Sequence, residues 1–517
     1  MAFTIEEYLY SGLYYGFCIT FCAIAYIGAI VLYRLFLSPL AKFPGPRLAA
    51  ATGLYEAYFQ LVKGGVFTWK IDRLHREYDS PIIRIKPNEL HIKDPNYYNT
   101  LYAGPGTHRN KDPWFSFISY PESIFSTEGH ALHRDRRRVL GQFFKKNAVF
   151  QFEPAIRANV RSLCRHFSAL ASSNDSLELH AAFQCFTCDT LSQYCFGTQV
   201  GSHYLDQPAL VATWKTRINS LFEFCRLNRQ IPILSYIARI FPGLVTYFVP
   251  SYGHVHEFEK EVRDWVHRAI EQHRLAGGKE RPTAIYPAIL ADPLVSASEK
   301  SSARLEDDAM FLMMAGTDAP SQAMAISIFH ILNNHAVYKK LKAELFTNIP
   351  DVASMPTVGS LEQLPYLSAT IKEGLRLSSI VTTRLPRIAP DEDLQYQHWQ
   401  IPSGTPVSMS TYFILRDPDI FPSPTEFIPE RWLLDPEGLQ SLQRYLVPAS
   451  KGTLGCLGQN MNLVWMKLVL GTLLRRYNLA LHDTTEKNVE MTRDNFIGQT
   501  ERGMNNVYVK VLEEHSH

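Results

Sequence analysis

The chain has almost no net charge: 52 basic side chains against 50 acidic ones leave +2 over 517 residues. So small an excess gives no electrostatic case for nucleic acid as a partner. Internal repeats at solenoid or propeller period are absent, and so are low-complexity tracts, which excludes a stacked array and a long disordered tail. Cysteines are few, eight in all, and show no disulfide-framework spacing. Cys185 and Cys188 form a C-x-x-C, but no second pair or histidine set completes a zinc site. They fall in a stretch of helical pattern, 177–196, where two small apolar side chains simply pack. A reducing compartment suits the soluble part.

One absence is local. From residue 8 to residue 33 there is no charged side chain, and Ile, Leu, Phe, Tyr and Ala fill the stretch. It is long enough to span a bilayer as one helix, with aromatic residues at both ends suited to the interface. A cleaved signal peptide is the alternative, but the run is too long and no basic region precedes it. Glu6 and Glu7 stand before it and Arg34, Lys42 and Arg47 after it, so the body of the chain is expected on the cytosolic side. The reading is an anchor over 1–37, a proline-rich hinge over 38–47 ending in Phe43-Pro44-Gly45-Pro46-Arg47, and a catalytic domain over 48–517.

The body holds 46% hydrophobic and 20% charged residues in the whole-chain count, enough apolar material for a large core. Helical periodicity covers 130–145, 154–171, 258–275, 304–333, 336–346, 364–377 and 457–477. The 304–333 stretch is apolar on most faces and predicts a helix running through a core. Short strand-like runs occur at 82–85, 90–92, 406–410 and 507–511. The expected fold class is mainly α with a small β portion, in one compact domain.

Chemistry concentrates in the last third. Lys451-Gly452-Thr453-Leu454-Gly455-Cys456-Leu457-Gly458 is a glycine-rich loop leading into a helix. Glycines at Gly452 and Gly458 let backbone approach a flat cofactor, and N–H groups at a helix start favour a thiolate. Cys456 is thus a candidate iron ligand. A buried free cysteine is the plainer alternative, which the glycine spacing disfavours. Upstream, Glu373 and Arg376 lie at i,i+3 on one helix face, among apolar neighbours. An ordinary solvated pair is the alternative there. Pro429-Glu430-Arg431-Trp432 offers Arg431 as a second arginine for Glu373.

In this order and spacing these features resemble the cytochrome P450 family, over nearly the whole chain. They are the apolar N-terminal helix, the proline-rich hinge, the E-x-x-R helix, the P-E-R-W loop and the G-x-x-x-C-x-G loop. The sequence looks most like the fungal microsomal type of secondary-metabolite pathways. The resemblance implies the cytochrome P450 fold with haem b held by the thiolate of Cys456. It implies a salt-bridge cluster of Glu373, Arg376 and Arg431 supporting the cysteine loop. Arg137 and Arg387 would bind haem propionates, and His133, where the family usually has tryptophan, could donate to one. An NADPH-cytochrome P450 reductase, O2 and the endoplasmic reticulum membrane follow as partners and setting.

Three family residues are missing. Ala315-Gly316-Thr317-Asp318-Ala319-Pro320 aligns with the oxygen-binding turn of the central helix, and Ala319 replaces its threonine. Pro320 is expected to open or kink the helix. Asp318 and Thr317 would serve a water relay in place of the threonine. Leu454 replaces an arginine that usually binds a propionate, and Ala449 replaces a phenylalanine that usually shields the thiolate. The leading expectation is a monooxygenase acting on a lipophilic small molecule such as a terpenoid or polyketide. A haem-thiolate isomerase, dehydratase, cyclase or oxidative-coupling enzyme is the alternative among enzymes. A degenerate, non-catalytic membrane-bound partner protein is the alternative outside them. Expected walls of the substrate pocket are Trp114, Phe115, Phe117, Ile118, Leu221, Phe222, Ala315, Ile380, Val381, Phe496 and Ile497.

Overall fold

The computed structural model describes residues 5–115, 120–173, 175–276, 283–352 and 354–515. Around its centre runs the helix Ser302–Asn333. Ser301 caps its start, and two thirds of its length is buried against other helices. One neighbour, Leu179–Phe196, buries nearly every side chain, as its lack of a charged face predicts. Its start is capped by Glu178, whose carboxylate accepts from His180 N and Ala181 N at 3.1 and 2.7 Å. Pro365–Ser378 and Tyr252–Ala276 pack on other faces of the central helix. Nearly all buried apolar side chains of the body join one contiguous core.

Helix existence follows the periodicity closely; boundaries differ where packing intervenes. The expected helix over 130–145 is His130–Gly141 followed by a separate Lys146–Gln151. The one expected over 457–477 is Gln459–Arg476, and Tyr477 passes directly into the strand Tyr477–His482. Several helices have no counterpart in the sequence reading, among them Thr213–Gln230, Ile233–Ile240 and Pro242–Phe248. The last two expose Ile233, Ile240, Tyr247 and Phe248. The β portion is small. A five-stranded sheet has the order Ile82–Lys86, Glu89–Ile92, Pro406–Ser408, Arg387–Ile388, Asn110–Lys111. Its one parallel pair joins Glu89–Ile92 to Pro406–Ser408. A three-stranded sheet sets Tyr508–Glu514 between Leu177–Glu178 and Tyr477–His482.

The N-terminal helix Ile5–Leu32 continues through one wider turn, Tyr33–Leu37. Leu13–Leu37 is long and apolar enough to cross a membrane, with mean hydropathy 2.1, and its most apolar stretch is not buried by the body. The proline-rich hinge is fastened to the sheet. Arg84 N donates to Pro44 O at 2.7 Å, and the Arg84 guanidinium donates to Arg34 O at 2.8 Å. Phe43 stacks on Trp399 with ring centroids 4.8 Å apart. Gly45 makes the approach possible: its φ is +152°, and a Cβ there would stand 2.4 Å from Arg84 O.

Candidate active site

A cavity of about 330 Å³ lies between the central helix and the cysteine loop. Cys456 sits on its floor. Its side chain borders the cavity rather than protein atoms, so it carries open surface while lying deep in the molecule. The loop that presents it is rigid. Cys456 N donates to Ala449 O at 2.8 Å, Gly455 N to Gly452 O at 3.1 Å, and Thr453 N to Ala103 O at 3.2 Å. Burial pushes the thiol up, and the Gly458 N–H and the charge of Arg137 oppose that push. The helix begins at Gln459, so those amides face the sulfur from just ahead of it.

Gly458 and Gly455 line the cavity, but Gly452 does not. Its expected role beside a flat cofactor is corrected: a Cβ on Gly452 would meet the carbonyl oxygens of Ala103 and Tyr102 at 2.1 and 2.5 Å, at φ +72°. Gly452 lets the loop close against neighbouring backbone instead.

Behind the loop, Glu373 and Arg376 are both fully buried. Arg376 donates twice to Glu373, at 2.9 and 2.8 Å, and to Leu415 O, Pro424 O and Glu426 O. Arg431 Nε donates to Glu373 at 3.0 Å and Trp432 Nε1 at 2.9 Å, while Ile428 N adds a third bond. A solvated pair is thereby excluded. Every polar atom of the carboxylate and most of the guanidinium is committed, and the irregular 415–432 segment hangs from them.

On one side of the cavity stand Arg137, His133 and Arg387, all lining it. Arg137 donates to Gly455 O at 2.7 Å, tying its helix to the cysteine loop. Burial lowers its pKa, and Cys456 counteracts this. Arg387 is buried with its guanidinium 5.1 Å from the Tyr102 ring. Burial lowers its pKa too, against Tyr102 and Tyr98. Burial and then Lys111, Arg137 and Arg387 push the His133 imidazole down to about 2, so it is neutral and donates from one nitrogen only.

The roof is the central helix. Ala315, Gly316, Ala319 and Pro320 line the cavity. Thr317 and Asp318, expected beside the reacting centre, are turned away from it and fully buried. Asp318 Oδ1 accepts from Gln184 Nε2 at 2.8 Å and His180 Nε2 at 3.2 Å, on the Leu179–Phe196 helix. The Thr317 carbonyl accepts from Thr187 Oγ1 at 2.9 Å on that same helix. A helix places residues 315, 316 and 319 on one face and 317 and 318 on another, which explains the division. Helix continues on both sides of Pro320. Its missing N–H deprives the Gly316 carbonyl of its usual donor.

Of the expected walls, Phe115, Phe222, Ile380, Val381, Phe496 and Ile497 line the cavity. Trp114 and Leu221 do not. The Trp114 ring is clasped by cations instead, with Arg384 at 4.1 Å and Lys86 Nζ at 4.3 Å. Phe117 and Ile118 lie outside the described residues. Phe496 is the tip of a hairpin, Arg493–Asn495 with Ile497–Gln499, and holds φ +89°. Asp494 clamps this turn: Oδ1 accepts from Phe496 N and Thr382 Oγ1, and Oδ2 from Thr68 Oγ1.

Sequence reasoning missed Phe125 and Phe311, which stack at 4.2 Å and line the cavity, and Lys111 on its polar side. It also missed the buried network of Arg384 with Glu56 and Glu89, which joins residues more than 290 positions apart. Nothing local marks such pairs.

The cytochrome P450 family model matches residues 55–506. A cytochrome P450 monooxygenase of Sordaria araneosa, sdnE, is 35% identical over 94% of this chain and 96% of its own length. The conidiogenone synthase PchP450 of Penicillium rubens is 36% identical, over 93% and 96%. A tryptophan 6-hydroxylase of Fusarium equiseti, fscE, is 36% identical, over 90% and 91%. The chain belongs to the cytochrome P450 family, and with it to the oxidoreductases of monooxygenase type.

Family membership implies a haem-thiolate iron cofactor. The residues present fit it. One thiol stands on the floor of a largely apolar cavity, and cations gather on a single side where, among the described residues, no carboxylate lines the space. Cys456 would hold the iron, and Arg137, Arg387 and His133 would hold the propionates.

Proposed function

We propose that the protein is a membrane-anchored monooxygenase that oxidises a lipophilic small molecule, a terpenoid or polyketide intermediate of fungal secondary metabolism. On this reading residues 1–37 anchor it in the endoplasmic reticulum membrane, 38–47 form the hinge, and 48–517 carry catalysis in the cytosol with electrons from an NADPH-dependent reductase. The cofactor is haem b. The observation that carries the substrate class is the cavity wall: apart from the cations grouped on one side and a few uncharged polar side chains such as Thr411 and Asn462, it is aliphatic and aromatic, from Phe115, Phe125, Phe222 and Phe311 to Phe496. A zwitterionic amino acid such as the substrate named for the Fusarium relative would meet no carboxylate among the described lining residues for its ammonium group. The apolar helices Ile233–Ile240 and Pro242–Phe248 suit a body lying close to the lipid surface.

When bound, haem supplies dioxygen activation at its iron. The chain's own residues do the rest. Cys456 is held by backbone amides so that its sulfur faces the cavity. Phe115, Phe222 and Phe496 hold an apolar substrate against Ala315 and Ala319 and keep water out. With no hydroxyl at 319, the Gly316 carbonyl, left without its helix donor by Pro320, can hold a proton-bearing water beside the cavity.

That geometry also favours a second reading, in which the product arises by ring closure, rearrangement or oxidative coupling. One experiment addresses both. The full-length enzyme is expressed with a reductase and candidate intermediates under labelled dioxygen. One labelled oxygen in the product is expected; a transformed but unlabelled product overturns hydroxylation in favour of the second reading. The reduced, carbon-monoxide-bound spectrum should show the red-shifted thiolate band, lost in Cys456→Ser. A parent protein that binds no haem would overturn both enzymatic readings.

A further inference from the structure

Opposite Arg387, across the sheet, stands a cation that no motif marks. Lys111 and Arg387 are register partners in the antiparallel pair Asn110–Lys111 and Arg387–Ile388. Directly opposed residues leave a sheet on the same face, and both side chains line the cavity. Lys111 is 6% exposed. Its ammonium donates to Ile124 O at 2.9 Å and Phe125 O at 2.6 Å. An ammonium has three protons, so these carbonyls leave one over.

Among the described residues no carboxylate makes an ion pair with Lys111, Arg137 or Arg387. Asp308 is the acid that acts on Lys111 most, yet its Oδ1 is engaged by Arg304 at 2.9 Å and by Ile124 N at 2.8 Å. Arg136, next to Arg137, shows what a self-sufficient cation looks like here: it pairs with Glu122 at 2.8 Å and Glu299 at 3.2 Å. Burial pushes the Lys111 ammonium well below the lysine range, and Arg387, Arg137 and Arg136 push the same way. Leaving such a charge unpaired is strongly unfavourable, so it calls for an anion in the cavity that can accept from several cations together. Leu454, where the family places a propionate-binding arginine, lines this same cavity.

We propose that Lys111 is a haem-propionate ligand, supplying from the sheet the positive charge that Leu454 does not supply from the cysteine loop. The proposal rests on the haem-thiolate reading of the cavity. Arg387 and Lys111 then present adjacent donors from neighbouring strands, with Arg137 facing them from the helix.

The test uses the detergent-solubilised full-length holoenzyme and measures haem release to excess apomyoglobin, together with the iron reduction potential. Lys111→Gln keeps a donor for the two carbonyls but removes the charge. It should release haem about tenfold faster or more, with a more negative potential. Lys111→Arg should stay near the parent in both. Adding Leu454→Arg to Lys111→Gln should restore retention, because a guanidinium then enters from the loop. If Lys111→Gln takes up no haem at all, uptake by the double variant supports the proposal, and failure of both overturns it. Parent-like release in Lys111→Gln overturns it, as does fast release that Leu454→Arg leaves uncorrected. An unchanged release and potential with an altered KM for an acidic substrate would assign Lys111 to the substrate instead, which also overturns it. A parent with no thiolate band would sink the haem reading itself; a normal parent band with an indifferent Lys111→Gln sinks only the role of Lys111.

Discussion

Two buried arginine-rich regions lie on either side of the cavity floor, and they are built on opposite principles. Around Glu373 the charges are answered within the chain: Arg376 and Arg431 meet one carboxylate, and backbone carbonyls and an indole take up what remains. Around Lys111, Arg137 and Arg387 the cations find carbonyls and a ring face but, among the described residues, no carboxylate partner. The first pattern holds a fold together. The second is addressed to something the chain does not contain. Similar residue types at similar burial thus separate into structure and binding by asking where the counter-charge is.

The sharpest way to break that distinction is to remove one member from each side. Glu373→Gln leaves two buried guanidinium groups without their carboxylate, so a loss of about 3–5 kcal/mol is expected, enough to leave little folded protein. Chemical denaturation of whatever folds measures it. A loss near that of a surface pair would erase the contrast. Arg387→Met should do the reverse. The haem-free protein should melt no lower than the parent, because an uncompensated buried charge is gone, while haem release rises about tenfold. A large drop in haem-free melting temperature would place Arg387 with the structural charges.

Asp112 sharpens the comparison from the acidic side. It is buried, and burial followed by the neighbouring Glu89 carries its carboxyl up to about 6. A raised acid binds its proton more tightly in the folded state than in the unfolded one, whose pKa is about 4. Stability therefore falls as pH rises from about 4 to 6, and the penalty is complete above that window. Asp112→Asn should remove it, stabilising the protein at pH 7 by ~1–2 kcal/mol and flattening the pH profile between 4 and 6. Thermal melts across that range, parent against variant, check the sign; a variant less stable at pH 7 would mean that Asp112 is paired after all.

Much of this was legible in the sequence because it is local. Helix periodicity, the E-x-x-R face and the glycine-flanked Cys456 all declare themselves within a turn or two. The Thr213–Gln230 helix did not, since charged and apolar residues mix along it and only packing against Tyr252–Ala276 fixes its face. Trp114 was expected as a pocket wall because, by the family resemblance, the loop before the propionate-binding helix lines the pocket; Arg384 and Lys86, both distant in sequence, draw it elsewhere. Asp318 was read by its neighbours in the motif, whereas its orientation is decided by His180 and Gln184 on another helix. Lys111 was silent because a single lysine in a two-residue strand has no pattern to break.

The hairpin tip at Phe496 has a consequence for how such an enzyme changes over time. A bulky side chain at positive φ carries backbone strain of about 1–3 kcal/mol. Widening a chamber by trimming an aromatic residue usually forfeits stability in full. At Phe496 part of that forfeit is returned, because glycine accepts the same turn without strain while Asp494 continues to hold it. Catalytic chambers diversify fastest where shape and stability are least opposed, and this tip is such a point of evolvability.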